Sequence, residues 1–388
     1  MRKIVFITTH QWNSNRQGGF HKFAEFCADS NIQTVFFSFP RPYYGKFMKT
    51  EQMNKKTINL LSKGISCSTA KGSPLINVTY PTLRLPDSIG KFLPAKLMIR
   101  LASSGLKSFK SFSKKFLSSA DTFVFESCEG IYLLPEIKKL FPEAKIIYRP
   151  SDPLVFDNVP ERLKKAEQKI LKNADLNLIV NEEGINSYKK EIPDFDTTVK
   201  YKMLSNGIDI DSYTKKYPVP ELLQKKNTVL YVGAWEVCWD LLFKASTETP
   251  DFNYVVVCPN FPSPEIRKRV ESISNLFYVP GIKPAEVPAW ITNCSVVMVP
   301  YQTDFYKDRP LGITAKYYQA MAAGKPIVAY SDTPKLQEAG VYATYSFEDF
   351  INSVKTAMNC PKADYTFNLS DRSWDKICTT FIESIEEC

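Results

Sequence analysis

The chain has 388 residues, 44% hydrophobic and 23% charged, a balance that excludes extended disorder and is longer than one hydrophobic core usually supports. Two domains of about 150 to 200 residues each are expected. The net charge of +9 is unevenly placed, so it speaks to a local anionic partner rather than to wholesale nucleic-acid binding.

Nine cysteines are scattered without a Cys-x-x-Cys pair, as in a reduced cytoplasmic protein. The only histidines are His10 and His21, neither at a metal-ligand spacing from a cysteine cluster, so no metal site is expected. The first apolar run, residues 4–7, is too short for a signal-peptide core, and no run approaches the roughly 18 apolar residues that span a bilayer. A cytoplasmic location follows as an expectation.

A first strand is predicted at 3–8, followed by a loop and by Gln17-Gly18-Gly19-Phe20 opening a helix. Gly18 and Gly19 permit close approach of a ligand or simply a tight turn; they form neither Gly-x-Gly-x-x-Gly nor a Walker loop. A second strand follows at 34–39. Between residues 89 and 120 stand Lys91, Lys96, Arg100, Lys107, Lys110, Lys114 and Lys115 with no acid among them. Phe109, Phe112 and Phe116 share one helical face while lysines fill the other, the composition of a helix that can rest on an anionic membrane surface. The competing reading is a surface helix that packs this stripe on its own domain.

Further strands are expected at 122–125, 145–149, 176–180 and 201–204. The one at 145–149 ends in Pro150-Ser151-Asp152-Pro153, which sets a carboxylate on a proline-stiffened turn where it can take a proton from a hydroxyl; Asp before Pro is also an ordinary turn signal. Arg149 beside it would lower the basicity of Asp152 if the two paired, which argues for their pointing apart. Asp209-Ile210-Asp211 has the Asp-x-Asp form, but it falls in a linker, where Asp209 reads as a hinge or cleft residue and Asp211 as a turn residue.

In the second half, strands are expected at 228–232, 254–257, 276–279, 296–299 and 327–329. Gly233, Ala234 and Trp235 follow the first of these, and Gly281 and Ile282 the third. Tyr301 ends the fourth and leads into a charged loop with Asp304, Lys307, Asp308 and Arg309. Then comes a helix with Thr314 as N-cap, Gly324 at the left-handed C-terminal position and Pro326 blocking continuation. Lys316 in its first turn and Gln319 three residues on form a face suited to a diphosphate and a ribose, or alternatively a solvated helix surface. Two β/α series of this kind predict two Rossmann-like doubly wound parallel-sheet domains facing a cleft. The expected boundaries are 1–206 for an acceptor domain, 207–226 for a linker, 227–365 for a donor domain and 366–388 for a terminal helix that could pack back on the first.

These positions resemble the GT-B glycosyltransferases, and more narrowly the GumK-like glucuronosyltransferases of glycosyltransferase family 70. The broad likeness rests on residues 315–329, Ala-Lys-x-x-Gln-Ala-Met-Ala-Ala-Gly-Lys-Pro-Ile-Val-Ala, and on Asn206-Gly207-Ile208-Asp209. The narrower one rests on Asp121-Thr-Phe-Val-Phe-Glu126-Ser127 followed by Ala144-Lys-Ile-Ile-Tyr-Arg-Pro-Ser-Asp152, with Val232-Gly233 and Pro300-Tyr301 in register.

The resemblance implies Asp152 as general base of an inverting, metal-independent transfer from a UDP-sugar, favoured as UDP-glucuronate, to a lipid-linked saccharide in bacterial surface polysaccharide (capsule or exopolysaccharide) synthesis. It puts Tyr301 and Lys316 on phosphate or sugar and Gln319 on ribose, with Gly233, Trp235, Gly281 and Ile282 lining the donor side. Gly18, Gly19, Glu126 and Asp209 fall on the cleft or acceptor side. It also implies peripheral attachment to the inner face of the plasma membrane. The chain departs from the family at Trp235, Ile282 and Ala315, which leaves UDP-glucose or another UDP-sugar open; Leu311 and Gln319 stand where retaining GT-B enzymes carry paired glutamates. A nucleotide-sugar epimerase of the same fold and a catalytically silent membrane scaffold are the alternative readings.

Overall fold

The computed structural model describes residues 2–14, 17–50, 52–155, 159–234, 236–260, 262–302, 313–360 and 362–388. The chain divides into two compact units, residues 1–206 with 375–388, and residues 207–374.

The first unit is built on strands β1 (Lys3–Thr8), β2 (Gln33–Ser38), β4 (Ile65–Ser68), β5 (Pro74–Val78), β7 (Thr122–Glu126), β8 (Lys145–Arg149), β9 (Leu176–Ile179) and β10 (Tyr201–Met203), with a short parallel pair, β3 (Arg41–Pro42) and β6 (Pro81–Thr82), beside them. The sheet order is β10-β9-β8-β7-β1-β2-β5-β4, parallel except for β4 against β5. Apolar side chains on both faces of β1, β7 and β8 explain their unbroken hydrophobic runs, since helices cover a parallel sheet on both sides. Strands β4 and β5 escape sequence reading for the converse reason. β4 is the edge strand and β5 its neighbour; both alternate in exposure, and β5 carries Pro74 and the buried Asn77, whose amide donates to Phe36 O and Ser38 Oγ.

Helix α1 (Gly19–Asp29) opens at Gly18, which serves as N-cap with extended backbone. The C-terminal helix Trp374–Glu386 lays Phe381 against Phe6 and Phe23 of the first unit, and Lys145 Nζ donates to Ile385 O.

The basic segment folds as two helices, α2 (Ala95–Ser103) and α3 (Phe109–Phe116). Here the membrane-facing reading of the aromatic stripe is corrected. Phe109 and Phe112 are buried, Phe112 packing on Phe37 of β2 and on Tyr80, because the stripe covers a face of its own sheet. Lys91, Lys96, Arg100, Lys107, Lys110, Lys114 and Lys115 all remain exposed. The apolar side chains left in solvent are different ones: Ile89, Phe92, Leu97 and Leu106.

The second unit is a parallel sheet of β11 (Thr228–Val232), β12 (Asn253–Val257), β13 (Leu276–Val279), β14 (Val296–Val299), β15 (Ile327–Tyr330) and β16 (Tyr342–Thr344), in the order β13-β12-β11-β14-β15-β16. In each unit the winding reverses beside the first strand, between β1 and β7 and between β11 and β14. Loops leaving the carboxyl ends of such neighbours diverge, and the gap between them is where open α/β sheets bind ligands.

Truncating Phe112 to Ala should cost the first unit about 3 to 5 kcal/mol, the usual loss for a buried Phe, read as a lower urea midpoint. Lys110→Ala in the same helix should change stability by no more than about 0.5 kcal/mol.

Candidate functional site

In the second unit the loops after β11 and β14 are tied by a bridge, Cys238 N donating to Pro300 O at 2.8 Å and Gln302 N to Glu236 O at 3.1 Å. This holds Tyr301, 3% exposed, edge-on to Tyr231 with ring centroids 6.3 Å apart. Helix α4 (Ala315–Ala322) begins just beyond, with no acid in its first turn. Its C-terminus closes with Gly324 at φ +62°, where Gly324 N reaches Met321 O and Lys325 N reaches Ala320 O. Thr314 is the N-cap residue by backbone, but its side chain makes no capping bond, and its buried Oγ1 has no partner among the described residues.

Lys316 folds back from this helix over Gly233. A Cβ on Gly233 would collide with Lys316 Cε and lie 2.7 Å from Tyr231 Oη, so the space of a side chain at 233 is taken by the lysine's methylenes. Its Nζ stands 5.5 Å from the centre of the Tyr301 ring. A cation, a helix N-terminus and a buried tyrosine thus converge at the winding reversal, an arrangement suited to an anion. Gln319, partly buried, follows Lys316 by three residues on the same helix.

Gly281 and Ile282 lie elsewhere, beyond the edge strand β13. Gly281 adopts φ +97°, and Ile282 packs onto the unit's core. Trp235 and the charged residues Asp304, Lys307, Asp308 and Arg309 lie outside the described residues. Asp209 is exposed, precedes the short helix Ile210–Thr214 and accepts a hydrogen bond from Ser212 Oγ at 2.6 Å.

In the first unit Glu126, at the carboxyl end of β7, is buried. Its carboxylate accepts from Thr8 Oγ1 and, at 2.8 Å, from Ser151 Oγ, with His10 Nε2 3.6 Å away. Burial alone would raise its pKa, but the imidazole of His10 and the hydroxyls of Thr8 and Ser151 outweigh it and hold the carboxyl below its ordinary range. His10 also borders Gly18, where a Cβ would meet its Nε2 at 3.3 Å. Gly18 N donates to His21 Nδ1, while His21 Nε2 faces Gln11 O; burial pushes that ring down to about 4, so it stands neutral. Gly19 starts the helix.

The Pro150–Pro153 turn is held from behind. Ser127 Oγ accepts from both Ser151 N (3.1 Å) and Asp152 N (3.3 Å), while the Asp152 residue itself is exposed. Arg149 turns away into the core. It is fully buried, donates to Asn206 Oδ1 at 2.7 Å and stacks 4.9 Å over Phe23. Burial lowers it to about 10, with Glu126, Cys378 and Asp152 opposing, so it stays cationic.

Sequence reading missed His10 and Ser151 as members of this network, and Glu167, whose buried carboxylate accepts from Leu154 N at 2.8 Å just past the turn. Glu167 had left a trace: on a helix it stands at i+4 from Leu163 and before Ile170 and Leu171, an acid within an apolar face.

Residues 6–180 match the N-terminal domain of the glucuronosyltransferase GumK, and residues 226–359 match the glycosyl transferases group 1 family. Among curated proteins no match was found. Among solved structures, the sucrose-phosphate synthase of Thermosynechococcus elongatus is 14% identical with a TM-score of 0.67, covering 100% of this chain and 99% of its own. HepE of Anabaena, in complex with UDP, is 12% identical at a TM-score of 0.65 with 100% of both chains covered. An α,α-trehalose-phosphate synthase of Burkholderia vietnamiensis is 11% identical at 0.64, covering 100% and 99%. These similarities establish the fold, and with the two family matches they make the chain a glycosyltransferase of the GT-B class, resembling the GumK-like enzymes.

Proposed function

We propose that this enzyme transfers a sugar, with glucuronic acid favoured, from a UDP-sugar to a lipid-linked oligosaccharide with inversion at the anomeric carbon. The observation that carries the donor half is the Lys316 side chain seated over Gly233 beside Tyr301, a fixed cation at a helix N-terminus where a diphosphate's charge would be balanced. HepE with UDP and glucose, and a structure described as trehalose-6-phosphate from E. coli bound with UDP-2-fluoro glucose, share the fold and support a UDP-sugar donor. The GumK match supports glucuronate.

The exposed Asp152 on its pinned turn supports a general base. In the reaction Asp152 takes the proton of an acceptor hydroxyl as that oxygen bonds to the anomeric carbon. The bond from that carbon to the diphosphate oxygen breaks, and UDP leaves with the electron pair, its added charge met by Lys316 and the helix N–H groups. No step in this scheme calls on a metal ion. Inversion is the reading despite retaining neighbours such as trehalose-6-phosphate synthase, because a single exposed carboxylate serves a one-step displacement and identities near 11% carry only the fold.

Among the described residues no helix is long and apolar enough to cross a membrane. The exposed Lys91, Lys96, Arg100 and Lys107, interleaved with exposed Phe92, Leu97 and Leu106, support peripheral contact with an anionic bilayer.

Asp152→Asn should abolish transfer from UDP-glucuronate while leaving UDP binding by calorimetry unchanged, and wild-type turnover should be the same in EDTA. Turnover by the Asn variant, or a product with the donor's anomeric configuration, would remove the base. Lys316→Ala should weaken UDP binding by about 1.5 to 3 kcal/mol, the worth of a hydrogen bond to a charged group; an unchanged titration excludes Lys316 from the site. Cosedimentation with phosphatidylglycerol vesicles should be lost in Lys91→Glu/Lys96→Glu, and retention would move the contact off this segment.

A further inference from the structure

Helix Glu161–Asn173 carries one buried carboxylate, Glu167, which is 0% exposed. Its Oε1 accepts from Tyr148 Oη and Tyr188 Oη, each at 2.6 Å, and its Oε2 accepts from Leu154 N at 2.8 Å. Tyr148 lies in β8 just before the turn that bears Asp152, Leu154 just after it, and Tyr188 on helix Glu182–Glu191. A buried carboxylate with three donors is costly to place and strongly directional once placed. Nothing in ordinary core packing requires an ion at this point, yet here it grips both ends of the turn. Ser127 holds the middle of the same turn through the amides of Ser151 and Asp152.

We propose that Glu167 is a positioning residue for Asp152, clamping the 150–155 turn from its far side so that the base is presented in one geometry. The proposal rests on Asp152 being the base.

The clamp is sensitive to protonation. Burial raises the Glu167 carboxyl to about 7 against the opposing pull of Tyr148, Tyr188 and Leu154 N. Tyr148 and Tyr188 face it from the strand and the neighbouring helix, and Asp152 acts on Tyr188 in turn. The 3-10 segment Glu129–Leu133, also packed on this helix, brings Glu129, paired with Arg84, and Tyr132, which interacts with Arg162. Above about 7 the three hydrogen bonds are charge-assisted; as pH falls through that value the carboxyl gains a proton and the same bonds become neutral and weaker.

The test compares wild type, Glu167→Gln, Tyr188→Phe and Asp152→Asn by hydrogen exchange of the 150–155 peptide and by UDP release from UDP-glucuronate with a panel of alkyl glycosides as acceptors. Glu167→Gln should speed exchange in that peptide. It should also lower kcat at pH 8 by about tenfold or more with KM for the donor little changed, the signature of a misplaced catalytic group. It should remove the acid limb near neutrality. Tyr188→Phe keeps the carboxylate but removes one donor that favours its ionisation, so its limb should move to higher pH. Exchange and pH profiles that superimpose on wild type for both variants, while Asp152→Asn is inactive, would overturn the clamp alone. An active Asp152→Asn would instead overturn the base, whatever Glu167 does, and the exchange result would still report whether the turn is held.

Discussion

The first unit depends on how it accommodates two opposite charges buried at the carboxyl edge of its sheet, Glu126 and Arg149. An unpaired ion there would cost several kcal/mol, and each is instead surrounded by groups from a different strand. Thr8 and His10 come from the end of β1, Ser151 from the end of β8, and Asn206 from beyond β10. The hydrogen bonds that satisfy these charges also fix the loops that leave the sheet. Stability and presentation of the exposed Asp152 therefore share one set of contacts.

Much of the architecture was legible because parallel strands buried on both faces read as unbroken apolar runs. Residues 3–8, 122–125, 145–149, 228–232 and 296–299 are short β-branched and aromatic runs bounded by breakers, which favours strand over helix. Strand β4 at the edge and β5 beside it alternate, so their signal was weak. The Phe109, Phe112 and Phe116 stripe teaches a sharper lesson: periodicity announces an apolar face but not what covers it, and the partners, Phe37 and Tyr80, lie far away in sequence.

The candidate site divides in the same way. Lys316, its helix start and the glycine stop are local, and spacing alone displays them. The network around Glu126 and Glu167 is assembled from residues 13 to 118 positions apart, and only folding brings them together. An acid on an apolar helix face was the one trace, and it says that a partner exists without naming it.

The seating of Lys316 over Gly233 makes these two positions a single unit of inheritance. Because the methylenes of one fill the volume that the other leaves vacant, a larger residue at 233 is tolerable only where the residue at 316 is shorter or turned aside. The glycine cannot grow alone. Lineages that alter their donor by changing one should carry a matched change at the other, and the order in which the two changes arise is constrained, with the lysine yielding before the glycine can grow.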